Sequence, residues 1–226
     1  MTDEVEVLIR DFFHNPINIS IAVSGTRLDN IEQQCYSTQN FNTKVNLLSF
    51  LLEEKEEFSK VLVFMSSKKY ADKLFESLEE KYGSQMAIIH SNKSQNYRIR
   101  SLQKFSDGEK RILISTDVMA RGIDIDDITH VINFDTPSFP ENYMHRIART
   151  GRAEKKGKSI LFHTEEETSF RDSLELLMKY ELPVVDFPEQ VSVSSELIGD
   201  EVPKSVDGAS VKSCKITEKR LFLKKN

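Results

Sequence analysis

The feature that most constrains this chain is an alternation. Short segments at 31–38, 60–65, 86–90, 111–115, 129–134 and 158–163 read as strands, most plainly the apolar, β-branched run at 111–115. Between them, stretches at about 43–56, 68–82, 95–105, 140–149 and 166–180 carry apolar residues at helical spacing, with Gly83 as a stop for the second. Strands separated by helices pair in parallel through right-handed crossovers. The alternation predicts an α/β, three-layer domain with a mostly parallel sheet flanked by helices.

In such sheets ligands gather at the carboxyl ends of the strands, where loops converge. The run at 111–115 leads into Thr116 and Asp117, and the run at 129–134 leads into Asp135, Thr136 and Pro137. The next helix carries Arg146, Arg149 and Arg152, one arginine every third residue, so the three project to nearly one side. Three guanidiniums on one face repel one another unless an anion arrives, and the planar fork of arginine matches phosphate oxygens. A solvated basic face on a surface helix accounts for three spaced arginines equally well.

The longer context narrows the choice. Residues 116–125 resemble motif V of the DEAD-box RNA helicases, and 131–137 resemble the segment that follows it. Residues 145–152 resemble motif VI, with Ala148 in place of the usual glycine. Residues 61–65 followed by Ser66, Ser67 and Lys68 resemble motif IV, while Gln95 and Arg98 sit at the spacing of the QxxR motif. The match runs from about residue 30 to 190 in the family's order.

This resemblance implies a RecA-like domain, the second of two, in an enzyme that couples ATP hydrolysis to RNA duplex unwinding. It implies that Arg149 and Arg152 are catalytic arginine fingers reaching ATP, that Gly122 and Asp124 join them at the nucleotide, and that Arg121 and His145 touch the first domain. Ser66, Ser67, Gln95, Arg98, Thr116 and Gly122 are implied RNA contacts, made to the backbone and so tolerant of sequence. Lys68 and Lys69 add charge there, or are a solvated helix start. Asp124 also fits a cap or turn role, and His145 a structural histidine. The cofactor implied is ATP with Mg2+, its metal ligands lying in the first domain and none here.

Residues the resemblance would require of a whole motor are missing. A phosphate-cradling loop needs two glycines with four residues between them, followed by Lys and Ser or Thr. The stretch from Gly151 to Gly157, with Lys158 and Ser159, has five between its glycines. Asp3, Glu4 and Glu6 follow no strand and read as the acidic first turn of a helix. The chain thus reads as half an enzyme, inactive alone, whose main partners are RNA and the N-terminal RecA-like domain.

Val5, Leu8, Ile9, Phe12 and Phe13 predict a helix over 2–13, and the alternation at 17–23 predicts a strand. By resemblance, 1–27 is the end of the first domain plus linker, 28–190 the helicase C-terminal domain, and 191–226 an extension. A helix and strand without their own sheet offer a route to self-association through 2–23. A non-enzymatic dimerising module and a DNA-directed helicase are the rival readings.

No apolar stretch approaches the roughly 20 residues that cross a bilayer, and no signal peptide is visible. Cys35 and Cys214 stand far apart, which suggests a reducing, cytoplasmic setting. The net charge of −5 means nucleic-acid binding must be local. The last fifteen residues carry six lysines and arginines against Glu218. That basic tail loosely resembles those of bacterial RhlE-like helicases; it either grips RNA or is simply solvated.

Overall fold

A computed structural model describes residues 11–12, 30–117, 125–151 and 155–202. The expected helix at 2–13 (residues 11 and 12 apart), the strand at 17–23 and the basic tail lie outside the described residues.

Within the described residues the strands are β1 (Ile31–Ser37), β2 (Val61–Met65), β3 (Met86–Ile89), β4 (Ile112–Thr116), β5 (His130–Asn133) and β6 (Gly157–His163). They form one sheet in the order β1-β6-β5-β2-β4-β3, with each neighbouring pair parallel. The helices are α1 (Phe41–Leu51), α2 (Lys68–Tyr82), α3 (Gln95–Ser106), α4 (Pro140–Ile147) and α5 (Thr168–Met178). β2 and β4 are interior strands, buried along their whole length. Helices on both sides favour apolar residues along such strands, and only Ser115 and Thr116 at the end of β4 depart from that.

The strand alternation sorts two cores. Val61, Val63, Met65, Ile112, Ile114 and Phe162 meet Leu47 and Leu48 of α1 and Ala71, Leu74 and Leu78 of α2. On the other face Leu62, Phe64, Leu113 and Val131 meet Phe105 of α3. Further along that face, Cys35 and Leu161 meet Tyr143 and Ile147 of α4 and Leu174 of α5. Each buried Val, Leu, Ile, Phe or Met side chain among these contributes about 1.5–3 kcal/mol.

Register decides where loops emerge. Met65 pairs with Thr116, Phe64 with Asn133 and Ile89 with Ser115. The central strands therefore end together, and Ser66, Asp117 and Asp135 leave the sheet at one pole.

Several element ends differ from expectation. α1 starts at Phe41, not 43, because Asn40 caps it by accepting from the Thr43 N–H at 2.9 Å. It stops at Leu51, since residues 53–57 are all charged and offer nothing to a core-facing stripe before Phe58. α5 is preceded by a 3-10 turn, Glu165–Glu167, closed by a capping box between Thr164 and Glu167. Gly83 opens another 3-10 turn rather than taking a left-handed conformation.

Packing continues past residue 190. Cys35 donates its N–H to the Pro183 carbonyl and accepts from the Val185 N–H, both at 2.8 Å, so this segment lines the exposed edge of β1. Beyond it, Val191 and Ile198 enter the α1 side of the core. Asn40 and Asn46 side chains donate to the Ser194 and Ser192 carbonyls at 2.6 and 2.8 Å. No helix among the described residues is long and apolar enough to cross a membrane.

Candidate functional site

Arg146 and Arg149 do not share one helical face. α4 ends at Ile147, Arg149 falls in the turn after it, and Arg152 lies outside the described residues. Arg146 is only 1% exposed. Its Nε and Nη2 donate to the two Asp117 carboxylate oxygens at 2.5 and 2.9 Å. Nη1 donates to the Asp135 carbonyl at 3.0 Å, and Nη2 to Ser66 Oγ at 3.2 Å. The guanidinium stands 5.3 Å from the Phe64 ring centroid. Burial alone would lower its pKa, but the Asp117 hydrogen bond and the Asp135 and Asp117 charges outweigh that and hold it above the ordinary value. Arg146 is therefore neutralised within the fold and does not await an anion.

Asp135 completes this knot by accepting from Ser66, from its N–H at 2.7 Å and its hydroxyl at 2.6 Å. Sequence reasoning quoted Asp117 and Asp135 but gave them no partner. The readable signal was an aspartate one or two residues past each of two strands.

Five expected RNA contacts lie at this carboxyl pole. Ser66 leaves β2, Ser67 precedes α2, and the buried Thr116 ends β4. Ser94 caps α3 by accepting from Tyr97 N–H at 3.3 Å, which puts Gln95 and Arg98 in the first turn. The Arg98 guanidinium donates to the Gln95 carboxamide. The loop before α3 is tied to α2: Asp72 takes hydrogen bonds from Lys93 at 2.9 Å and His90 at 3.0 Å, and Lys68 donates to Asn92 at 3.0 Å. Burial pushes the Asp72 carboxyl up, yet the bonds from Lys93 and His90 hold it below the usual range. The result is a fixed helix N-terminus, whose N–H groups and dipole favour an anion. Gly122, the sixth expected contact, lies outside the described residues.

Arg149 stands at the opposite pole. Its Nε donates to the His145 carbonyl at 3.2 Å. It borders a cleft of about 460 Å3 whose other walls include Asp126, Asp127, Thr129, Lys155 and Lys156. His145 is exposed on α4, which argues against a buried structural histidine. Arg121 and Asp124 lie outside the described residues.

The glycines of the near-miss phosphate loop have packing roles. A Cβ on Gly157 would sit 2.2 Å from Thr150 Oγ1 and 2.6 Å from the Gly151 nitrogen. Gly151 has φ +68°, and a Cβ there would meet Ile31 Cγ1 at 2.7 Å. The Thr150 hydroxyl donates to the Ile128 carbonyl, so this close approach seats the turn after α4 against the start of β5.

Comparison with known proteins agrees with this geometry. The family described as "Helicase conserved C-terminal domain" matches residues 43–154. A solved structure of the C-terminal domain of the DEAD-box protein Dbp5 is 30% identical, with a TM-score of 0.63 over 70% of this chain and 92% of that one. The chain belongs to the DEAD-box helicase family, as its C-terminal RecA-like domain. Dbp5 of S. cerevisiae bound to RNA and ADP BeF3 is 27% identical, with a TM-score of 0.72 over 82% of this chain and 49% of that one. The ATP-dependent RNA helicase DeaD of Buchnera aphidicola is 36% identical over 189 residues, which cover 84% of this chain and 31% of that protein. This DEAD-box domain spans less than half the length of the curated relatives it matches.

Proposed function

We propose that this domain is the RNA- and ATP-engaging second half of an ATP-dependent RNA helicase. The observation that carries the reading is the division of the expected site between two poles. The capped α3 N-terminus, on the same pole as the strand ends that carry Ser66 and Thr116, suits a phosphate chain. Arg149, at the other pole, suits a triphosphate held by an N-terminal RecA-like domain, with Arg152 beside it in sequence.

Guanidinium donors fit phosphate oxygens but cannot ligate Mg2+, whose oxygen ligands would come from the other half. ATP with Mg2+, when bound, supplies the phosphoryl group whose departure drives the cycle. Arg149 and Arg152 would neutralise charge that grows in the transition state, an effect worth about 10³–10⁵ in rate. Asp124 would accept from the ribose, and Arg121 and His145 would meet the first domain. Ser66, Ser67, Gln95, Arg98, Thr116 and Gly122 would hold the RNA backbone without reading bases.

RNA-stimulated ATPase activity tests this, with the domain measured alone and mixed with a matched N-terminal domain. The expected result is activity only in the mixture, lost in Arg149→Ala and Arg152→Ala. A mixture that binds ATP and RNA yet turns nothing over, even with the halves covalently joined, would overturn the reading. Stimulation by DNA as strong as by RNA would favour a DNA-directed helicase instead.

A further inference from the structure

A cavity of about 350 Å3 opens at the carboxyl pole, sharing Ser66, Ser67 and Asp135 with the phosphate face. Its inner wall is aromatic. The Phe41 ring lies 5.3 Å from Phe134 and 5.7 Å from Tyr70, and Phe170 stands at the mouth, 38% exposed. Its charged lining is mostly acidic: Asp135, Glu166, Glu167 and Glu201 against Lys44. Lys44 is already paired with Glu167 at 2.6 Å. Carboxylates around aromatic rings repel a phosphate chain and favour a cationic peptide with apolar side chains.

The chain itself contains such a peptide. Leu221, Phe222 and Leu223 lie between Lys219 and Arg220 on one side and Lys224 and Lys225 on the other. We propose that this segment, 219–225, docks in the cavity and, while docked, covers Ser66 and Ser67.

The path of the chain supports it. The segment beyond β6 and α5 runs back along α1, and Glu201 accepts from the Phe41 N–H at 2.6 Å. The chain is thereby delivered to the cavity, because both residues line it. Position 219 lies 17 residues past 202, and a random coil of that length has an r.m.s. span of roughly 20–25 Å, which would give an effective concentration on the order of millimolar. Modest intrinsic affinity therefore suffices for docking. A docked tail and a bound RNA exclude each other, whereas a tail that grips RNA would help it bind. The two ideas predict opposite signs.

The full chain allows a direct test. Cys35 is fully buried and burial pushes its thiol up to about 11, so a maleimide nitroxide attaches at Cys214. Docking predicts that the label broadens the amide resonances of Phe41, Tyr70 and Phe170 and spares Gly108. It also predicts that Phe222→Ser abolishes the pattern while the remaining amide resonances keep their dispersion. Uniform broadening, or broadening centred elsewhere, overturns the proposal and leaves the cavity to another basic peptide. The second arm compares short single-stranded RNA binding by the full chain and a chain ending at residue 218. Removing the tail should tighten binding by about three- to tenfold; weaker or equal binding overturns the exclusion. If neither form binds RNA, the RNA reading above fails, while the nitroxide experiment still decides the docking.

Discussion

Replacing Arg146 with methionine isolates the knot at the carboxyl pole. The substitution keeps an unbranched apolar stem against Phe64 and removes the charge. It leaves Asp117 and Asp135 facing a site from which their shared cation is gone. Breaking a buried pair from one side costs about 3–5 kcal/mol, because an uncompensated charge remains. The two carboxylates here are 20% and 21% exposed, so water relieves part of that penalty. The expectation is the low end, about 3 kcal/mol, which is a large part of a typical stability of roughly 5–15 kcal/mol. In a domain of this size that lowers Tm by about 6–12 °C. Urea unfolding followed by far-UV circular dichroism measures it at pH 7.5. The same variant carrying Asp117→Asn and Asp135→Asn should recover part of the loss, because the orphaned charges are gone. A loss below about 1 kcal/mol, or no recovery in the triple variant, would refute the argument that Arg146 serves the fold through these carboxylates.

Acid should destabilise the domain through His130. It is 2% exposed and stacked on Phe58 with ring centroids 3.9 Å apart. Burial pushes its imidazole down from 6.5 to about 4. The unfolded chain therefore takes the proton first, so this contribution is fully present above pH 6.5 and is lost as pH falls toward 4. The whole difference is about 3 kcal/mol, of which about 2 is gone at pH 5. Urea midpoints at pH 7.5 and 5 check it, and His130→Gln should flatten the difference; an unchanged slope would count against it. Gly157→Ala should cost about 1–3 kcal/mol, since its Cβ meets the Thr150 side chain and the Gly151 backbone. Gly108→Ala, at φ +80° with open space around it, should cost only about 1 kcal/mol, and thermal melts rank the two. Arg98→Ala should weaken RNA binding alike across sequences and reduce the slope of log K against log salt by about 1, read from anisotropy titrations.

The elements were legible because their signals are local. β2 announces itself as an unbroken apolar run and β4 as a short apolar run with β-branched residues, the pattern of a buried parallel strand. Helix ends were less so, because single side chains set them: Asn40 pulls the start of α1 forward, and the Thr164–Glu167 box shortens α5. The strand order was not readable, since β6 pairing with β1 joins residues more than a hundred positions apart. The segment after α5 has no period to detect. It is held by side chains of α1, with Asn40, Asn42 and Asn46 donating to its carbonyls. Those asparagines were the available sign, since they share a helix cap and its exposed flank.

Arg146 was the hardest residue to place. Regular spacing of arginines describes a surface only when every position in the series faces solvent. Here the helix that would carry the series runs from the carboxyl pole toward the amino pole and stops after Ile147. Arg146 turns inward, where Asp117 after β4 and Asp135 after β5, on either side of β2, surround it. Arg149 comes one turn later, beside Thr150, which is anchored to the residues just before β5. One short sequence thus serves two ends of the sheet. Its first arginine fixes where Ser66 and the strand ends stand, and its second faces a cleft formed by residues 126–129 and 155–156. A change at Arg146 should therefore disturb the phosphate face and stability together. A change at Arg149 should leave both intact and appear only when nucleotide is turned over.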